Sequence, residues 1–299
     1  REARLQDVDL IYENDQTQQY VVQKIDDLTL SGEFSSEQFN LKSSGDLKSE
    51  FIELDGQRYL IGKALQYEAL LKVDLTQGLY DIRDFNLEVE DNTFELDGTI
   101  RQQADGTTFD LFLTNEEGNL EAVTQLLPAQ YLNVFGELSS RGDFKLEARV
   151  DGLLSESSTP EISLGLSMEN GEVSSTRLEH TLEDVSFEAR YSNGKYQSDR
   201  SSFFYIKQFK GYFDRELIDF DLNVNDFSDP LVNFEFDGVM PMETLRRIID
   251  IPRIQNAQGE IEVRDLQVNG RLSELTNPRS VDFTKVKGSL EFDDAEIQI

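Results

Sequence analysis

Few residue types in this chain could support catalysis. His180 is the only histidine among 299 residues, and cysteine is absent. These counts exclude histidine-rich and thiolate metal sites, disulfides and cysteine nucleophiles. They leave His180 as the single candidate base for a catalytic triad, and no Gly-x-Ser-x-Gly turn, phosphate-binding loop or dinucleotide-binding glycine motif accompanies it. We interpret His180 as a loop or turn residue, and the sequence predicts no catalytic residue, no cofactor site and no metal site.

Carboxylates are abundant, with 59 Asp and Glu residues. Adjacent pairs at 26–27, 116–117 and 293–294 are expected by chance at this abundance, and neighbours on a strand point to opposite faces. Glycosidase chemistry needs two carboxylates that converge from separate strands, beside exposed aromatic side chains. A carbohydrate-binding or glycosidase-like protein stays open as an alternative, although tryptophan is absent and tyrosine would have to substitute for it. No stretch matches the twelve-residue calcium-binding loop.

The most apolar segment is Phe203–Ile206, which is followed closely by Phe209, Tyr212 and Phe213. One interpretation is a central strand buried on both faces. The other is the wall of a hydrophobic groove, because an apolar sheet face can close onto a second sheet or stay open to hold an acyl chain. The sequence leaves both interpretations open.

Apolar and polar residues alternate along most of the chain, as at 85–89, 109–113, 144–150, 162–168, 218–224 and 232–236. This period predicts half-buried strands with one wet face, which is typical of antiparallel sheets. Eight Asp-Gly or Asn-Gly pairs lie between or within these runs, and such pairs are typical of tight hairpin turns. We predict a mainly β fold, an extended, curled and twisted antiparallel sheet that forms a groove, half-barrel or sandwich, with a few short helices.

Two short helices are predicted, near 119–127 and near 242–250. Each lies between two alternating strands and is followed by a proline. The flanking segments correspond at an offset of roughly 120 residues, which indicates a repeat. We predict a first β module over 1–155 with the helix near 119–127, and a second over 156–299 with the helix near 242–250. The two are expected to form one continuous elongated sheet body.

The chain is strongly acidic, because it has 28 Lys and Arg residues and 59 Asp and Glu residues, which gives a formal net charge of −31. Such a chain repels phosphate backbones and anionic lipid headgroups, so nucleic acid is excluded as an expected partner. The charges are interspersed with apolar residues, which favours an amphipathic sheet over a disordered acidic tail. No run approaches the roughly 20 apolar residues that span a bilayer, and we expect a soluble piece of a longer protein.

Several stretches together resemble the AsmA-like family of bacterial envelope proteins, in particular its large C-terminal region. They are Leu28–Leu41 (LTLSGEFSSEQFNL), Phe94–Ile100 (FELDGTI), Leu126–Pro128 followed by Gly142–Leu146 (GDFKL), Pro160–Gly171, Ser186–Asn193 (SFEARYSN) and Asp229–Gly238 (DPLVNFEFDG). The resemblance covers most of the chain from about residue 28 onward and lies in the spacing of strands, glycines and prolines.

The resemblance implies a non-enzymatic, periplasmic module that is similar to the chorein-type bridge-like lipid carriers. Its expected partners are phospholipid or another acyl-chain lipid, a membrane reached through an anchor helix absent from this sequence, and envelope proteins. The expected role is to bind or conduct phospholipid between the membranes and to support outer-membrane assembly. A structural or protein-binding β-scaffold without lipid is the first alternative. The groove-lining candidates, chosen from alternating apolar positions, are Phe144, Leu146, Leu164, Leu166, Phe204, Ile206, Ile218, Phe220, Leu222, Phe234 and Phe236.

Overall fold

The structure is a computed structural model. It describes residues 1–14, 18–34, 37–54, 56–89, 92–121, 138–176, 178, 181–249, 256–275 and 286–298. His180 lies outside these residues, and so does most of the helix predicted near 119–127, of which residues 119–121 are described.

The described elements are sixteen strands and two short helices. The strands are β1 (Glu2–Asn14), β2 (Gln19–Gly32), β3 (Gln38–Leu54), β4 (Gln57–Tyr59), β5 (Lys63–Asp74), β6 (Leu79–Val89), β7 (Asn92–Gln103), β8 (Gly106–Gly118), β9 (Leu138–Leu154), β10 (Glu161–Ser175), β11 (Leu182–Ser192), β12 (Phe203–Phe213), β13 (Glu216–Asn225), β14 (Leu231–Pro241), β15 (Asn256–Arg271) and β16 (Val286–Gln298). The helices are α1 (Met242–Ile249) and α2 (Leu272–Leu275).

The strands form an antiparallel sheet that is not closed into a barrel. Their order in the sheet follows the chain from β1 to β16, except that β4 lies off this path and pairs only with β3. Strands that follow one another closely in sequence pair readily in this way, because short connections join antiparallel neighbours. The predicted mainly β, antiparallel architecture is confirmed.

Helix α1 lies where the sequence predicts the second helix. It begins directly after Pro241, and its first turn carries Glu243, an acidic residue that suits the positive end of the helix dipole. The Nε atom of Arg246 donates to Glu243 Oε2 at 2.7 Å, one turn apart on the same face. This local pairing supports a helix of only eight residues, which is too short to be stable alone.

The chain divides into two compact units. Unit 1 comprises Arg1–Val134 and Lys145–Ile162, and unit 2 comprises Phe135–Phe144 and Ser163–Ile299. Strands β9 and β10 each contribute residues to both units.

In unit 1 the core lies on one face of the sheet. Leu65 on β5 faces Val89 on β6, and these residues are 7% and 1% exposed. Phe94 on β7 is buried to the same extent as Val89. A polar pair interrupts this face, because the hydroxyl groups of Ser43 and Tyr67 are hydrogen-bonded at 2.8 Å. The pairing satisfies both hydroxyls in a surface that is otherwise apolar.

The prediction that Asp-Gly and Asn-Gly pairs mark tight turns is wrong for five of the eight pairs, which lie inside strands: 97–98 in β7, 151–152 in β9, 170–171 in β10, 237–238 in β14 and 269–270 in β15. At Gly98 the φ angle is 131°, and a Cβ atom there would lie 2.0 Å from the Asp110 carbonyl oxygen. Asn170 has a φ of 51° at a register shift in β10. A positive φ is adopted inside strands as well as in turns, which explains the error at 97–98, 151–152 and 170–171; the pairs at 237–238 and 269–270 contain no residue with a positive φ.

Asp74 fixes the turn that links β5 to β6. Its Oδ1 atom accepts hydrogen bonds from the backbone N–H groups of Thr76 and Gln77, both at 3.0 Å. Its Oδ2 atom accepts one from Gln38 Nε2 at 2.8 Å. These bonds, foremost that from Gln77, hold the pKa of the Asp74 carboxyl below its ordinary value.

We expect Asp74 to make the stability of unit 1 depend on pH. A carboxyl whose pKa is lower in the folded state contributes fully above its unfolded pKa of about 3.9, and the contribution is lost as the pH falls through the folded-state pKa. Asp74→Asn should therefore destabilise at neutral pH, and the difference from wild type should shrink as the pH falls from about 5 toward about 3. Urea unfolding of both proteins across this pH range measures the difference in their free energies of unfolding. A difference that does not change with pH would contradict the prediction.

Candidate functional site: the apolar face of unit 2

The candidate site is one face of the sheet in unit 2, on strands β10 to β16. Side chains alternate between the faces of a strand, so cross-strand partners lie on the same face. One row of partners consists of Leu166, Ala189, Ile206, Leu222, Phe234, Val268 and Val286. It crosses all seven strands without a polar side chain. We call the surface on which this row lies the apolar face.

Further rows flank the first one. On one side the partners are Leu164, Tyr191, Phe204, Val224, Val232 and Gly270. On the other side are Phe209, Phe220, Phe236 and Leu266. Nine of the eleven predicted groove candidates lie on this face: Leu164, Leu166, Phe204, Ile206, Ile218, Phe220, Leu222, Phe234 and Phe236.

The remaining two candidates, Phe144 and Leu146, lie on β9 and are each 1% exposed; Phe144 belongs to unit 2 and Leu146 to unit 1. Ile218 and Phe236 are also buried. These four side chains are core, and a ligand could reach them only by displacing their neighbours. The other seven candidates are half-buried, so part of each side chain is available for contact with a ligand.

Five phenylalanines form an aromatic ladder across β11 to β14: Phe187, Phe209, Phe220, Phe234 and Phe236. The ring centroids of consecutive members are 6.0, 4.2, 6.0 and 6.0 Å apart. The 4.2 Å contact joins Phe209 and Phe220, whose rings are stacked within 19° of parallel. Aromatic pairs at these distances stabilise the sheet beyond the area that they bury.

The apolar run at Phe203–Ile206 divides between the two faces of β12. Phe204 and Ile206 lie on the apolar face, whereas Phe203 and Tyr205 lie on the opposite face and stack on each other with centroids 6.2 Å apart. All four residues are half-buried. Strand β12 is thus a central strand of the sheet, and it is not fully buried at these residues on either face.

Two members of the ladder, Phe187 and Phe209, were absent from the predicted groove residues. A bulge at Gln208, with a φ of 52°, shifts the register between Ile206 and Phe209. The bulge turns the odd-numbered Phe209 onto the face of the even-numbered Ile206. A second bulge, at Asp184, precedes Phe187 in β11. For Phe209 the available signal was the adjacent polar pair Lys207-Gln208 between two alternating runs of opposite parity. Phe187 keeps the parity of Ala189, so the regular alternation along β11 already indicated its face.

Carboxylates of neighbouring strands accept hydrogen bonds from the bulge at Gln208 in β12 and from a further bulge at Asp265 in β15. Asp221 Oδ1 accepts a hydrogen bond from the backbone N–H of Gln208 at 2.8 Å. Asp237 Oδ1 accepts one from the backbone N–H of Asp265, also at 2.8 Å, and Asp265 has a φ of 51°. The carboxylates thereby satisfy backbone donors that the interrupted ladder leaves without strand partners.

Helix α1 covers one margin of the apolar face. Met242 at its first position is 7% exposed and belongs to a core cluster with Met240, Ile261 and Val263. Leu245, one turn further along, packs against the same cluster. Within the part of the chain that the structure describes, side chains of the helix therefore cover this margin at β14 and β15.

The opposite margin is bounded by the turn between β13 and β14. The backbone N–H of Phe227 donates to the carbonyl oxygen of Asp199 at 2.7 Å, and the Phe227 ring lies 5.9 Å from that of Tyr191. Arg271 Nη1 donates to the carbonyl oxygen of Asp229 at 2.6 Å. The turn thus holds Phe227 against Tyr191, in the flanking row that begins at Leu164.

Asp226 is the charged group of this turn. Its carboxylate accepts hydrogen bonds from the Ser228 hydroxyl and from Arg271 Nη1, the latter at 3.3 Å. These interactions, that of Ser228 foremost, hold the pKa of the Asp226 carboxyl below its ordinary value. The carboxylate is thus held within the turn by Ser228 and Arg271.

The other face of the same strands is polar along β13, although on β12 it also carries the stacked rings of Phe203 and Tyr205. Asp219, Asp221 and Asn223 alternate with apolar residues along β13, and Lys210 on β12 lies 3.5 Å from the Asp219 carboxylate. Exposed ion pairs of this kind contribute little to stability. Because polar and apolar residues alternate along β13, this strand gives unit 2 one wet face and one apolar face.

Other kinds of site are not found among the described residues. No group of three or more His, Cys, Asp or Glu side chains there could hold a metal ion. No helix in the described ranges has both the length and the hydropathy to cross a bilayer. Comparison with known proteins gives no match to a family model, a curated protein or a solved structure.

Proposed function

We propose that unit 2 binds the acyl chains of lipid on its apolar face. In this proposal the chain is a non-enzymatic, periplasmic module of an AsmA-like protein that conducts phospholipid between membranes. The observation that carries the proposal is the row from Leu166 to Val286, which is apolar on seven consecutive strands and partly exposed on most of them. A protein that stays soluble alone seldom leaves so continuous an apolar surface open to water.

The dimensions of the face suit a lipid tail. Six interstrand spacings of about 4.8 Å separate β10 from β16, so the row runs for about 29 Å. This length is close to the roughly 30 Å hydrocarbon thickness of a bilayer, which accommodates two acyl chains end to end. Each methylene removed from water contributes about 0.8 kcal/mol, so ten contribute about 8 kcal/mol before the costs of association.

The wet face supports the same proposal, because its carboxylates keep the module in solution while the apolar face is occupied. Aromatic side chains suit a fluid ligand as well. The four half-buried rings of the aromatic ladder, all but that of Phe236, present flat, rigid surfaces, and they make no hydrogen bond that a lipid tail would have to replace.

Photocrosslinking tests the proposal. A phospholipid with a photoactivatable acyl chain is supplied in zwitterionic vesicles, and the labelled peptides are identified by mass spectrometry. We expect saturable labelling at half-buried positions of the apolar face, in the segments 204–206, 220–222 and 232–234. Labelling that does not saturate, or that falls equally on wet-face residues of the same strands, would overturn the proposal and leave a lipid-free β-scaffold as the better interpretation.

A further inference from the structure

Three exposed hydrophobic side chains lie at one end of the strands of unit 2, where β11, β13 and β15 end. They are Tyr196 between β11 and β12, Phe227 between β13 and β14, and Leu272 at the start of α2, directly after β15. Their exposed fractions are 73%, 39% and 45%. Single exposed hydrophobic side chains are ordinary on a protein surface, but these three lie on successive connections at the same end. We call them the hydrophobic tips.

Backbone hydrogen bonds join the three connections to one another. The N–H of Phe227 donates to the carbonyl oxygen of Asp199 at 2.7 Å, which ties the second connection to the first. The N–H of Leu272 donates to the carbonyl oxygen of Pro230 at 2.7 Å, which ties the third to the second. Neighbouring strands are about 4.8 Å apart, so successive connections are spaced by about 10 Å along the ends of the strands. The hydrophobic tips therefore belong to one continuous surface.

The loop that carries Tyr196 is ordered by its own hydrogen bonds. The Ser201 hydroxyl donates to the carbonyl oxygen of Asn193 at 2.7 Å and accepts from the backbone N–H groups of Tyr196 and Ser198, both at 3.3 Å. Gly194 has a φ of 70°, and a Cβ atom there would lie 2.0 Å from the Ser201 carbonyl oxygen. The loop thus presents the Tyr196 ring to water from an ordered backbone, which lowers the entropy that the loop loses when the ring is bound.

Exposed polar groups separate the hydrophobic tips. Asp199, Ser228 and Ser273 are exposed on the same three connections. A protein partner that covered the tips would have to remove these groups from water, which is unfavourable unless each one gains a hydrogen bond. The headgroup layer of a bilayer keeps polar groups hydrated while apolar side chains enter the boundary with the acyl chains. The surface therefore suits a membrane better than a protein.

The charges of the first connection fit a zwitterionic lipid. Lys195 and Arg200 are exposed, and the Lys195 Nζ atom lies 5.6 Å from the centroid of the Tyr196 ring. These cations can bind a lipid phosphate, and the Asp199 carboxylate can bind the cationic end of the same headgroup. Tyrosine is itself enriched where membranes meet water. An anionic membrane fits less well, because the whole chain has a formal net charge of −31.

We propose that unit 2 docks on the surface of a zwitterionic bilayer through Tyr196, Phe227 and Leu272. The three side chains enter the layer between headgroups and acyl chains, and the polar groups between them stay among the headgroups. The Phe227 ring lies 5.9 Å from that of Tyr191, in a flanking row of the apolar face. The docked end is therefore where lipid passes between the bilayer and the apolar face. This last step rests on the proposed function, whereas docking does not.

A single tryptophan tests docking, because the chain has no tryptophan of its own. Tyr196→Trp is mixed with phosphatidylcholine vesicles, and Tyr212→Trp, near the opposite end of β12, is the control. We expect the emission of the first variant to shift to shorter wavelengths and to be quenched by lipids brominated near the carbonyl end of the acyl chain. The control should show neither effect. The absence of a shift at position 196, or an equal shift at both positions, would overturn the proposal.

Matched double variants locate the contact. Tyr196→Ser with Leu272→Ser, the tip variant, should lower the partition coefficient for the same vesicles at least about tenfold, because two hydrophobic side chains no longer leave water. The control is Tyr212→Ser with Leu217→Ser, which removes the same residue types, 40% and 43% exposed, near the opposite end of unit 2. It should change the coefficient by no more than about twofold. Vesicle flotation measures the bound fraction, and equal losses in the two variants would contradict docking through the tips.

A variant of the apolar face separates docking from the proposed function. Ile206→Asp with Leu222→Asp should still bind vesicles, because neither residue belongs to the hydrophobic tips. If it lost vesicle binding as completely as the tip variant, the apolar face itself would hold the vesicles and the docking proposal would fail. If the tip variant bound vesicles normally while photolabelling of the apolar face stayed saturable, docking alone would be wrong and the proposed function would stand.

Discussion

Replacing Ile206 and Leu222 by Asp should strongly weaken the proposed binding of acyl chains to unit 2. The two residues are cross-strand partners in the continuous row of the apolar face, and both are half-buried. A carboxylate in that row would have to lose its hydration when a lipid tail lies over it, which is strongly unfavourable. We expect the affinity for a fluorescent acyl-chain probe to fall by about a hundredfold, which corresponds to about 3 kcal/mol.

The control for this variant places the same charge on the other face. Asn223 and Asn233 are cross-strand partners on β13 and β14, and their side chains lie on the wet face. Asn223→Asp with Asn233→Asp should leave the affinity within about threefold of wild type, because exposed charges act weakly across a sheet. Circular dichroism should show the same strand content in both variants. Equal losses of affinity would mean that net charge, and not the apolar face, governs binding.

Phe213→Ala should cause the largest loss of stability of any single change considered for unit 2. Phe213 is 1% exposed and belongs to the core cluster with Met240 and Ile261. Removing a buried phenyl ring costs about 3–5 kcal/mol, because the ring loses its burial and a cavity remains. Urea unfolding measures the change in the free energy of unfolding.

The neighbouring residue supplies the control. Tyr212 is 40% exposed and points to the opposite face of β12. Tyr212→Ala removes a similar ring and should cost less than about 1 kcal/mol. If the two variants were equally destabilised, the apolar side of unit 2 would not be its stabilising core.

Much of the fold follows from alternation alone. Regular spacing of apolar residues predicted the strands that became β13 and β14, where Ile218, Phe220 and Leu222 share one face as expected. The helix near 242–250 was recognisable from the flanking prolines and its apolar period. Alternation also placed nine of the eleven groove candidates on the apolar face, because a strand without a bulge keeps one parity from end to end.

The errors arise where backbone conformation overrides the period. At Gln208 a bulge reverses the parity of β12, so Phe209 was not recognised as a neighbour of Phe220. The Asp237-Gly238 pair is typical of turns but lies within β14, where the Asp237 carboxylate accepts a hydrogen bond from the bulge at Asp265 in the adjacent strand. The distinction between Phe204, half-buried, and Phe144, fully buried, depends on which elements cover each strand. A strand's own sequence does not contain that information.

The carboxylate-held bulges have a consequence for how the strands find their alignment. If β12 slipped by two residues along β13, every apolar side chain would return to the same face, so the apolar pattern alone opposes such slippage only weakly. The slipped hairpin would, however, separate Asp221 from the Gln208 N–H group and leave a backbone donor unsatisfied. The same holds for β14 and β15 through Asp237 and Asp265. Each hydrogen bond is formed in only one register of its strand pair. It therefore selects that register among several that bury nearly the same apolar area.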